Sequence, residues 1–459
     1  MRRQLVLAGT IGFTLGLAAC SIPESMSYGT PAQAETTTAA PGPPGSNYEV
    51  WALDQADTHA DGGGLLYIWS GPALRAPAGA QQAADPAAVA PEVYDLADAA
   101  IAAGCPVAKR PHMSLVNHSQ PYPTHVIVAN VASGDIHFFD VETRDIVGCV
   151  NVVDAGGIGT VQAHAAFATP DNSMVIVADM AGNALHKIAT DYDNNQFELV
   201  ETLNLRPYAD QVGTESVVPI CHNFTADSQH AYVTLAGGGV AVVGTGSGDG
   251  STPMTVDHIY PADQVPGIGC GAFPLDDEDI MLTNGESGAQ GGDDFLFVFD
   301  TSQRPTFPDP VTIELPGDDT HGSEICRDQD GKPWVWTFMR VSNDVNIIDL
   351  ETNEVVSTLP MGRPFSPDPK PDLAWAANNK MYVSLRGPKP LTAIGSLQNP
   401  ERTPGVAILD MAADCQSFEW PERNLLPMED NPNRVTLDDG REVSASDPHG
   451  LEIVWRPAR

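Results

Sequence analysis

From His112 onward, the chain repeats one design about every 50 residues: four short strands separated by turn residues. One unit reads HMSLVNHSQPYPTHVIVANVASGDIHFFDVETRDIVGCVNV from His112. The next, from His164, reads HAAFATPDNSMVIVADMAGNALHKI and continues with QFELVETLNL. Further units begin at Cys221, Gly269 and His321, and a sixth near Pro371. Asp171-Asn172, Asp330-Gly331 and Asn378-Asn379 sit where a tight hairpin joins the first two strands, and Thr143, Thr301 and Thr352 fall near the third turn. A single small sheet cannot cover both its faces, so such units must stack around an axis.

The two ends of the chain complete the count. DPHGLEIVWRP, near the C-terminus, repeats the first-strand signature from His449 and has no partners after it. NYEVWALDQ, GGLLYIWS and PEVYDLA, near the N-terminus, supply three strands without a first. The expected fold is therefore all-β: a seven-bladed β-propeller over residues 48–459, closed by one C-terminal and three N-terminal strands, which removes free sheet edges. PEVYDLADAAIAAG also fits a helix, with Val93, Leu96 and Ile101 at roughly that period.

Residues 1–19 read as a lipoprotein signal peptide: Arg2 and Arg3, an apolar run from Leu5 to Leu17, then Leu17-Ala18-Ala19-Cys20. Cys20 is the expected lipidation site. Residues 20–47, with ETTTAAPGPPGS, read as a flexible tether. The expected location is thus extracytoplasmic, on a membrane through the lipid on Cys20. A formal net charge of -37 excludes nucleic acid as a partner, since phosphates would be repelled. Six further cysteines (Cys105, Cys149, Cys221, Cys270, Cys326 and Cys415) fit disulfide chemistry in that compartment, and no C-x-x-C supports a zinc ribbon or haem attachment. Their pairing stays open among 15 connectivities.

In a propeller the first strand of each blade lines the central channel. Aligned on those strands, His112, His164, His222, His321 and His449 fall at one level, with Cys270 at or beside it in the fourth blade and Asp368, Lys370 or Asp372 in the sixth. Five of the chain's 12 histidines at one channel mouth form a metal-ligand set of imidazoles, suited to copper before zinc and not to the oxygen-seeking calcium or magnesium. In the plainer reading, each ring only hydrogen-bonds a neighbouring blade. Glu324 and Glu215 are weak catalytic candidates as general bases or extra ligands. Asp328 to Gly331 reads as a hairpin turn rather than a calcium loop. Arg386 reads as a partner of nearby acids, or else as a clamp for an anion. The acids at Asp276 to Asp279 and Gly291 to Asp294 read as solvated loops.

HAAFATPDNSMVIVAD, PHGLEIV and THGSEICRDQDGK resemble the YVTN-repeat seven-bladed propellers and, more distantly, the propeller domain of nitrous oxide reductase. The second resemblance implies a copper centre held by histidines at the heads of inner strands, with His112, His164, His222, His321 and His449 as ligands and His118 as a lower-ranked sixth. No blade carries a His-His pair and no cupredoxin domain is appended, so the implication stops at a histidine-bound metal. It leaves open a metal carrier or a metal-dependent oxidoreductase, either one working with a separate electron-transfer or metal-exchange protein. Two other classes stay open: a metal-free interaction platform on the cell envelope, and a lactonase-like hydrolase.

Overall fold

The computed structural model describes residues 42–43, 45–75, 90–153, 161–247, 252–269, 271–275, 279–362 and 366–458. Cys20, Cys270 and the acids at 276–278 lie outside the described residues. Seven sheets of four or five strands form the blades of a propeller. Their inner strands are Pro111–Val116, Ala163–Ala168, Pro219–Phe224, Ala272–Leu275, Thr320–Arg327, Pro371–Ala377 and Pro448–Pro457. Six blades run outward in chain order. In the seventh, Pro448–Pro457 pairs with Ser46–Asp54, which pairs with Leu65–Ser70 and then Glu92–Asp95. The closure expected from the chain ends is therefore the one that forms.

Burial along each blade follows from its place in the sheet. The inner strand Ala163–Ala168, AHAAFA, is buried throughout, and its small side chains suit the crowding near an axis. The outer strand Glu354–Pro360 alternates exposed and half-buried residues, as an edge with one solvated face should. Apolar layers fill the spaces between blades. Trp336 of blade 5 is fully buried with Phe338, Met381 and Leu409, and its indole N–H donates to the Cys415 carbonyl at 2.9 Å. Truncating a ring packed this way costs about 3–5 kcal/mol.

Turn chemistry matches the expectation. Asn172 (φ 58°), Gly331 (φ 84°) and Asn378-Asn379 (φ 48° and 62°) adopt the left-handed backbone that a tight hairpin requires. Asp328 Oδ1 accepts from the backbone of Asp330 and Lys332, which makes DQDG a turn. PEVYDLADAAIAAG divides: Glu92–Asp95 is the outer strand of blade 7 and Leu96–Ala103 a helix. Asp95 caps that helix by accepting from the N–H groups of Ala97 and Asp98, and Gly104 ends it at φ 72°. Among the described residues two disulfides form, Cys105–Cys149 and Cys326–Cys415, the second tying the inner strand of blade 5 to blade 6. Asp294 corrects the solvated-loop reading of 291–294. It is fully buried, accepting from Ser287 Oγ and from the backbone of Asp319 and Thr320. No helix among the described residues is long and apolar enough to cross a membrane.

Candidate functional site

The site is built by one backbone device used repeatedly. Between first and second strands the register slips by one residue, at Pro111/Met113, Ala163/Ala165, Pro219/His222, Thr320/Ser323 and Pro371/Ala374, and opposite Ala52/Asp54 in the closing blade. A bulge re-aims the side chain that it displaces. The residue following the first paired position is His112, His164, Ile220, His321, Asp372 and His449 in turn. The glycine after two of these histidines has a steric reason. A Cβ on Gly450 would lie 2.7 Å from the His112 carbonyl, and one on Gly322 would collide with that of Asp372. Bare backbone there lets neighbouring inner strands close around the axis.

Four of the five expected histidines come together. His112 Nε2 lies 3.0 Å from His164 Nε2, the His112 and His449 ring centroids are 3.8 Å apart, and those of His321 and His449 5.5 Å. Asp372 joins them as the sixth-blade residue. One oxygen is 3.1 Å from His321 Nε2, and the other accepts from His449 Nδ1 at 2.7 Å. Ligand atoms of His321, Asp372 and His449 all lie within 4.8 Å of one another. Cys221 Sγ sits 3.7 Å from His164 Nδ1.

The fifth histidine does not reach the cluster. His222 lies two residues along its strand from the ring position, which Ile220 occupies, and it packs between Phe167 and Phe224 with centroids at 4.9 and 5.3 Å. Burial among these rings pushes its pKa down to about 3. His118 is also elsewhere: it is exposed, with Nε2 3.2 Å from the Ala168 carbonyl. Glu215 is exposed in the loop before blade 3, whereas Glu324 faces a channel cavity further along its strand, so the two acids do not form a pair.

The cluster is not at an open mouth. None of its four histidines is more than 7% exposed, because a polar lid covers them. Arg340 donates to Glu286, Asp319 and Asp372, and Arg386 to Asp372 and Asp447. Arg386 therefore pairs with acids, as the plainer reading expected. Gln55 donates to Asp447 at 2.9 Å, and its Oε1 accepts from His112 Nδ1 at 3.0 Å. Sequence reasoning missed most of this lid, although a signal was present. Gln55, Glu286, Arg340 and Arg386 each follow directly on the second strand of their blade, after Asp54, Gly285, Met339 and Leu385.

The hydrogen bonds fix the tautomers. Gln55 Nε2 already donates, so its oxygen must accept, and His112 carries its proton on Nδ1 with a bare Nε2. His449 likewise gives its Nδ1 proton to Asp372, and its buried Nε2 has no hydrogen-bond partner among the described residues. Electrostatics disfavour a charge on three of the rings. Burial, helped by His449 and His164, holds His112 well below the usual imidazole range, and burial with Arg340 does the same to His321. Burial also lowers His449, against the pull of Asp372. Burial opposes ionisation of Asp372, yet His449, His321 and Arg386 outweigh it and hold its carboxyl well below the usual range. Two guanidiniums, Arg340 and Arg386, face four carboxyl groups, Glu286, Asp319, Asp372 and Asp447. Burial pushes Glu286 well above its usual range despite Arg340.

Fold and site together define a seven-bladed propeller with a buried histidine–carboxylate cluster on its axis. No protein-family model and no curated protein matches the sequence. Among solved structures, the chain is similar to a hypothetical selenium-binding protein from Sulfolobus tokodaii, with TM-score 0.59 and 9% identity over 90% of this chain and 94% of that one. It is also similar to a periplasmic gluconolactonase from Pseudomonas aeruginosa, with TM-score 0.55 and 11% identity over 89% of this chain and 99% of that one. At such identities the likeness is one of fold.

Proposed function

We propose that this protein is a lipid-anchored, extracytoplasmic carrier of a borderline transition metal, copper or zinc, held at the axial cluster. The observation that carries the reading is the orientation of the rings. Gln55 and Asp372 hold the Nδ1 protons of His112 and His449, which leaves two buried Nε2 lone pairs, one of them without a hydrogen-bond partner. Imidazole nitrogens joined by a carboxylate suit zinc or copper(II).

His164 Nε2–H can donate to His112 Nε2 across 3.0 Å, so an ion would replace that hydrogen bond at His112 and take up the unpartnered Nε2 of His449. Titration calorimetry against a competing chelator, on protein without a histidine tag, tests this. One ion per chain is expected, with affinity about 100-fold or more lower in the H112N/H449N variant. Equal affinity in that variant would rule out the cluster as the site.

The anchor has its own test. With Cys20→Ala the protein is expected to leave the membrane fraction and appear in the soluble extract, and retention on membranes would contradict a lipid on Cys20.

A further inference from the structure

Beyond the histidine layer the channel widens into a cavity of about 240 Å³ lined by inner-strand residues of all seven blades. Met113, Cys221, Gly322 and Leu373, each next in chain to a ring position, form its boundary with the cluster. The third residue beyond the ring position is Phe167 in blade 2, Glu324 in blade 5 and Trp375 in blade 6, and Phe273 joins them from blade 4. The wall is thus largely apolar and aromatic, with a carboxyl group set into it.

That carboxyl has no counter-charge. Among the described residues no Lys or Arg lines the cavity, and the donors to Glu324 are backbone N–H groups, Ile325 at 2.8 Å and Ala376. A wall of this composition recognises one class of ligand well. A bare metal ion would want several donors free to converge on it, whereas Asn223, Ser323 and His118 in this wall already bond Ala272, Asn284 and Ala168. A neutral apolar molecule would gain nothing from the carboxyl group. An organic cation suits both features, because aromatic rings attract a desolvated ammonium and Glu324, on giving up its proton, balances its charge.

We propose that the channel cavity is a binding site for a small organic cation of the alkylated ammonium class, seated among Phe167, Phe273 and Trp375 with its charge towards Glu324. The site uses side chains other than the histidine cluster's, so either site can fail without the other.

Titration calorimetry on the full chain at about pH 9, where Glu324 is ionised, with choline and with its neutral carbon isostere 3,3-dimethylbutan-1-ol, tests the proposal. Choline is expected to bind about tenfold tighter or better than the isostere. Glu324→Gln should reduce that preference to about twofold, and Trp375→Leu should weaken choline by about fivefold or more. Circular dichroism establishes whether each variant is folded. If Glu324→Gln does not fold, the choline-to-isostere ratio of the unaltered protein decides alone. Equal binding of the two probes, or no binding of either at millimolar concentration, overturns the proposal.

Discussion

Asp372→Asn is expected to destabilise the protein by about 3–5 kcal/mol, read as a shift of the urea midpoint with chelator present. Asp372 is fully buried and serves four partners: His321, His449, Arg340 and Arg386. Asparagine keeps the shape but removes the charge, and turns one acceptor oxygen into a donor facing other donors. Arg386 would keep Asp447, and Arg340 would keep Glu286 and Asp319, so the loss should fall on the two imidazoles and the charge balance. The exposed pair Arg441–Asp439 is the control, where Arg441→Met should leave the midpoint unchanged. A shift under about 1 kcal/mol for Asp372→Asn would mean that solvent reaches the cluster and screens it.

The second large effect concerns pH. Burial pushes the Glu324 and Glu452 carboxyls up to about 8, the latter raised further by Glu324. In the unfolded chain both ionise near 4.5. Between these values the folded state holds protons that the unfolded state has lost, so their contribution to stability falls as pH rises and is gone above about 8. Buried His112, His321 and His449 act in the opposite sense, but only at and below the ordinary imidazole value of 6.5. From pH 6.5 to 9 the carboxyls should therefore dominate. The unfolding midpoint should drop across that window by an amount worth several kcal/mol, and the E324Q/E452Q variant should show a shallower profile, its remaining slope belonging to Glu286. Parallel profiles would place the two carboxyls in contact with water.

Much of this could be read from the residues because propeller blades repeat both strand patterning and turn chemistry. The N-terminal strands could be assigned to the C-terminal one because each set was incomplete alone. His112, His164, His321 and His449 could be aligned because each heads a strand of recognisable pattern. His222 falls outside the ring because the phase of blade 3 is set by its proline and not by its histidine. The strand opens at Pro219, as others open at Pro111, Pro371 and Pro448, and counting from that proline puts Ile220 in the ring. The lid is harder to read. Arg340 or Glu286 after a strand looks like an ordinary exposed loop residue, and only its recurrence at one blade position marks it as axial. The burial of the cluster depends on how those lid residues pair across blades, which one strand's pattern does not encode.

X-ray absorption at the metal edge of the full-length, tag-free protein tests the histidine centre most directly. The expected spectrum shows one zinc or copper per chain, with nitrogen and oxygen neighbours at about 2.0–2.1 Å and the outer-shell scattering of imidazole rings. In the H112N/H449N variant that imidazole signal should disappear along with the metal. A protein that carries no stoichiometric metal after loading, or a spectrum unchanged in the variant, would contradict a metal site on the propeller axis.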